Sequence, residues 1–200
     1  MQPVVFFAPG FQRGFEKGGY NRVRKAIKRK GYEFVEVPIE WRTYPEDWKR
    51  QFLEAYRARV KSGQKVIFAG FSLGAVTAFL AAADQQPDEL WLFSFSARFA
   101  EDIPHVPAEQ LEYLETKTPG LVAKLRELVF AQLAPRIQCY TLLMMGAVEI
   151  KGSPLLHERM LAAQRSLANT SSLVVVEGVG HKANDPKYAN AIAASILRAS

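Results

Sequence analysis

The sequence predicts a three-layer α/β/α sandwich around a mostly parallel sheet of about six strands. Two observations predict it. Short runs rich in Val, Ile, Leu and Phe alternate with segments of helical periodicity along the chain. Those runs lack polar alternates, the mark of strands covered on both faces, as parallel strands are. The 200 residues suffice for one domain with a sizeable core. No repeat, low-complexity tract or linker divides them, so one domain over 1–200 is expected.

The elements follow in order. Pro3 to Ala8 is a first apolar strand. Tyr20 to Lys30 is a helix, because Tyr20, Val23 and Ile27 are spaced to face a core. Tyr32 to Pro38 is a second strand. Pro45 to Lys61 is a helix, with Trp48, Phe52, Ala55, Tyr56 and Val60 as its apolar stripe. Lys65 to Ala69 is a third strand and Gly74 to Ala83 a helix of small residues. Glu89 to Phe95 is a fourth strand. Ala97 to Pro135 has helical periodicity and no strand. Within it Thr118-Pro119 reads as an N-cap and first helical residue before the stripe Leu121, Leu125, Leu128, Val129 and Leu133. Gln138 to Met144 is a fifth strand, which puts Cys139 mid-strand as a core residue. Pro154 to Leu167 is a helix and Ser172 to Glu177 a sixth strand. Pro186 to Arg198 is the last helix, capped by Asp185.

Composition narrows the function classes. Apolar residues make up 48%, which argues against disorder. No apolar run approaches the ~20 residues of a membrane span. The opening MQPVVFFAPGF lacks a basic segment and makes a poor signal peptide. One cysteine precludes an internal disulfide; a reducing compartment fits, and a cytoplasmic location is expected. The net charge is +6, and Arg22, Arg24, Lys25, Lys28, Arg29 and Lys30 crowd one segment. That cluster reads first as the solvated face of a helix, and second as a docking face for an anionic partner. No nucleic-acid-binding signature accompanies it, so no nucleic-acid partner is expected.

In parallel sheets ligands bind beyond the carboxyl ends of the strands. After the third strand the chain reads Gly70-Phe71-Ser72-Leu73-Gly74, a G-x-S-x-G between strand and helix. This pattern puts a serine on a sharp, strained turn, and glycines let neighbouring backbone pack against it. A nucleophile is thereby presented at Ser72. The alternative is a tight turn with a surface serine. A serine needs a base. His181 directly follows the sixth strand in Gly178-Val179-Gly180-His181, whereas His105 and His157 fall elsewhere. A carboxylate should orient the base. Glu149 is the only acid at the end of the fifth strand; Asp102, with Glu101, beyond the fourth strand is the runner-up. Oxyanion donors are expected at the Leu73 N–H and in the loop Ala8-Pro9-Gly10-Phe11-Gln12, at the Phe11 N–H first and Gln12 second.

Together these residues resemble the α/β-hydrolase superfamily, in the order nucleophile, acid, histidine: Ser72, Glu149, His181. The likeness spans nearly the whole chain and its length suits the small, single-domain serine esterases. It looks like a compact form lacking the superfamily's first two strands. Two features depart from the usual pattern: Pro9-Gly10 replaces the common His-Gly, and the acid is a glutamate. The resemblance implies ester or related acyl cleavage through an acyl-enzyme, with a small-molecule acyl substrate and no cofactor or metal. It puts 97–135 at the cap position, as a mobile lid or an ordinary packed helical segment. Glu40-Trp41-Arg42-Thr43-Tyr44 reads as pocket surface or as a packed loop. The alternative function is a catalytically inactive binding protein on the same fold.

Overall fold

The computed structural model describes residues 1–11, 19–167 and 171–197. Six strands form one sheet: β1 (Val4–Ala8), β2 (Glu33–Glu36), β3 (Val66–Phe71), β4 (Glu89–Phe93), β5 (Tyr140–Gly146) and β6 (Ser171–Val176). Their order is β2-β1-β3-β4-β5-β6, and every neighbouring pair is parallel. The expected "mostly parallel" sheet is thus wholly parallel.

Period-two geometry sends alternate side chains of each strand into two cores. In β1, Val4, Phe6 and Ala8 enter one and Val5 and Phe7 the other. The first core is covered by α2 (Pro45–Arg57), α3 (Leu73–Asp84), α8 (Pro154–Ser166) and the helices of the 97–135 segment. The second is covered by α1 (Asn21–Arg29) and α9 (Pro186–Ser195), through Val23, Ile27, Tyr188 and Ile192. α3 is buried from Leu73 to Ala82, which accounts for its small residues. On α1, Arg22, Lys25, Lys28 and Arg29 face solvent, while Arg24 pairs with Glu36 at 2.5 Å.

The 97–135 segment contains α4 (Ala108–Lys117), α5 (Leu121–Arg126) and α6 (Phe130–Leu133), flanked by short 3-10 turns. The expected helix start at Thr118-Pro119 is not found. Thr118 ends α4, and α5 begins after Gly120, whose φ of 82° is left-handed. The Glu115 carboxylate accepts the N–H groups of Gly120 and Val122 and so supplies the cap from outside. Strand ends also differ from expectation. β4 stops two residues early because Ser94 takes φ 48°. β5 begins at Tyr140, so Cys139 precedes the strand and is half-buried. Burial pushes its thiol up to about 11. A short helix, α7 (Ala147–Gly152), occupies what reads from sequence as a turn. The loop around Trp41 packs: its ring meets Trp48 at 5.3 Å and Phe11 at 6.3 Å. The last helix ends at Ser195, where Ile196 turns extended, short of the expected Arg198, which itself lies outside the described residues.

Candidate active site

The sheet register sets Phe71 of β3 beside Phe93 of β4, and Phe93 beside Met144 of β5. The residues following β3, β4 and β5 therefore emerge side by side at the carboxyl edge. Ser72 is first among them. It takes φ 56° and ψ −122° between β3 and α3. Its N–H donates to Phe93 O at 2.8 Å, which hangs the turn on β4. A Cβ on Gly70 would lie 2.1 Å from Gly74 O, and one on Gly74 would lie 2.2 Å from Ala8 O. Both positions require glycine. Among the described residues only Ser72 and Ser94 combine a side chain with positive φ, and strain of this kind collects at functional sites.

The acid and histidine turns are built against each other. Val148 N–H donates to Val179 O at 2.9 Å, and a Cβ on Gly146 would meet that same oxygen at 2.2 Å. This packing brings the buried Glu149 carboxylate to the imidazole: Oε1 meets His181 Nδ1. Oε2 accepts from Gly146 N–H at 2.6 Å and from Ser94 Oγ at 2.8 Å. Ser94 Oγ lies 3.1 Å from the Tyr188 hydroxyl, which donates to Met144 O at 3.0 Å. Burial raises the Tyr188 phenol well above its usual range, so it serves as a neutral hydrogen-bonding group. The His181 ring rests on Phe71, with centroids 4.7 Å apart, and half of its side chain stays exposed.

Ser72, His181 and Glu149 line one cleft of about 870 Å³. Within it the Ser72 hydroxyl pairs with Ser96 Oγ at 3.1 Å rather than with His181. Asp102, the runner-up acid, points elsewhere. Its carboxylate is buried and gripped by Arg159, with Nη2 to Oδ1 at 2.6 Å and Nε to Oδ2 at 3.0 Å. It also accepts the Phe99 N–H at 3.0 Å. Glu101 accepts the N–H groups of Phe130 and Ala131. Among the described residues neither carboxylate bonds to a histidine ring.

The loop after β1 runs beside the elbow: a Cβ on Gly10 would stand 3.1 Å from Ser72 Cβ. Phe11 follows, half-buried, between Trp41 and Tyr113. Leu73 opens α3, where a first-turn N–H has no acceptor inside its own helix. Gln12, the second loop candidate, lies outside the described residues. Sequence reasoning missed Ser94, Ser96 and Tyr188. Nothing in Phe93-Ser94-Phe95-Ser96 marks those hydroxyls locally; their partners lie far along the chain.

No protein-family model and no curated protein sequence matches the chain. Solved structures do. Est1E from Butyrivibrio proteoclasticus matches with a TM-score of 0.77 at 15% identity, over 96% of this chain and 86% of that one. Alpha/beta hydrolase domain-containing protein 10 from mouse gives 0.72 at 14% identity, over 96% and 87%. The thioesterase domain from the curacin biosynthetic pathway gives 0.65 at 15% identity, over 96% and 90%. The parallel sheet, the strained serine turn after β3 and these superpositions agree: the chain has the α/β-hydrolase fold.

Proposed function

We propose that the protein is a serine hydrolase that cleaves a carboxylic ester or a related acyl bond through an acyl-enzyme. One observation carries this reading. A serine on a strained elbow shares a cleft with an imidazole whose other nitrogen is held by a buried carboxylate. The structural neighbours suit it: Est1E has been solved with ferulic acid bound, and another neighbour is a thioesterase domain.

In this mechanism Ser72 Oγ attacks the acyl carbonyl. His181 takes the hydroxyl proton through Nε2 and later delivers it to the leaving group. That requires the Ser72 hydroxyl to turn from Ser96 toward His181, and nucleophile–base bonds commonly tighten in the Michaelis complex. Glu149 fixes the imidazole tautomer through Nδ1 and stabilises the imidazolium. Ser94 and the Gly146 N–H in turn fix Glu149. The N–H groups of Leu73 and Phe11 receive the oxyanion, each such donor typically worth 10²–10³ in kcat. Water activated by His181 then releases the acyl group.

The test is steady-state hydrolysis of 4-nitrophenyl esters. Ser72→Ala and His181→Ala are each expected to lower kcat by about 10³-fold or more while circular dichroism stays unchanged. The Ser72–Ser96 hydrogen bond favours a second reading, a binding protein with an idle serine. Turnover that is equal in wild type and both variants would select it.

A further inference from the structure

Arg98 lines the same cleft as Ser72 and His181. It stands two residues after Ser96, and two residues of extended chain span at most about 7 Å. Its side chain is half-buried, yet among the described residues it forms no ion pair. Nη1 donates to Ala97 O at 2.8 Å and Nη2 to Gln110 Oε1 at 3.1 Å, both neutral oxygens. A guanidinium carries five N–H donors in a rigid planar fork, so most of that fork is unspent. Arg159, the deeply buried arginine nearby, shows what the fold does when an arginine is structural. It receives a bidentate carboxylate from Asp102 and the ring of Phe130 at 4.3 Å. Among the described residues Arg98 has no such paired carboxylate. Burial pulls its guanidinium below the usual arginine range, and the attraction of Asp102, already engaged by Arg159, opposes that pull.

One neighbouring element adds to that charge: Pro107 and Gln110 bring the positive N-terminal end of α4 to the cleft. Two acids line the cleft. Glu149 is committed to His181, and Glu158 is exposed on α8 without an ion pair to Arg98.

The geometry points to a substrate that carries an anionic oxyacid group, a carboxylate or a phosphate, which the Arg98 fork holds while Ser72 attacks the acyl carbonyl. It rests on the acyl-hydrolase reading of this cleft. A planar guanidinium matches both oxyacids through paired N–H···O bonds, and charge-assisted bonds of this kind are strong.

The test uses three matched 4-nitrophenyl esters of one chain length, ending in a methyl ester, a carboxylate or a phosphonate. Wild type is expected to favour one anionic ester over the neutral one by about tenfold or more in kcat/KM. Arg98→Gln should cut that ratio by about tenfold, and Arg98→Lys should retain part of it. Whichever anionic ester leads names the oxyacid. A wild-type ratio near one for both anionic esters overturns the inference. So does an Arg98→Gln loss that falls equally on all three, which is the mark of a structural arginine. Calorimetry with glutarate and with inorganic phosphate supplies an arm that needs no turnover. Anion binding lost in Arg98→Gln, with no ester cleaved, would keep the Arg98 site and remove the hydrolase reading. Ester cleavage without any Arg98-dependent preference or binding would do the reverse.

Discussion

Asp102 and Glu149 are two buried carboxylates with opposite assignments. Asp102 closes a bidentate pair with Arg159 under the rings of Phe99 and Phe130, and among the described residues its carboxylate bonds to no imidazole. Glu149 meets His181. The variants should separate accordingly. Asp102→Ala strands a buried guanidinium and is expected to cost about 3–5 kcal/mol in urea unfolding, with kcat little changed below the transition. Glu149→Ala is expected to lower kcat by about 10²-fold or more. A normally stable Asp102→Ala whose kcat collapses would transfer the acid's role. The strand-end positions of Ser72 and His181 were legible in the sequence, because Gly70 and Gly74 bracket the serine and Gly178 and Gly180 precede the histidine. Ser94, Ser96 and Tyr188 were not: their hydroxyls matter only through the β3–β4–β5 register, a long-range property that leaves no local mark.

At the scale of elements, strand and helix types were legible, while their boundaries were set by contacts the sequence hides. β4 ends at a strained serine, and α5 is capped by a glutamate from the helix before it. The helices of 97–135 are also unequal. α5 buries Leu121, Val122 and Leu125, and Phe130 of α6 stacks on Phe79 of α3 at 5.3 Å. α4 buries only Leu114, though it forms one wall of the cleft. If any part of this segment opens as a lid, the account assigns the movement to α4. Its amides should exchange with deuterium at least about 10²-fold faster than those of α3, measured by mass spectrometry. Protection equal to that of α3 would mean a fixed wall.

Over the whole molecule, chemistry and charge are divided. The cleft lies at the carboxyl edge of the sheet, while the exposed cations of α1 sit in the layer covering the second core. Replacing Lys25, Lys28 and Arg29 with Gln lowers the net charge from +6 to +3. Ester turnover is expected to stay within about twofold and unfolding free energy within about 0.5 kcal/mol, while retention on heparin at low salt falls. A large loss of turnover would tie that face to the site. Among the described residues no helix is long and apolar enough to cross a membrane. The central claim is that Ser72 is an activated nucleophile. Intact mass after exposure to a fluorophosphonate, with wild type and Ser72→Ala side by side, tests it most directly. The account predicts a single adduct on wild type and none on the variant. A folded wild type that stays unmodified, or a variant that is modified equally, would contradict it.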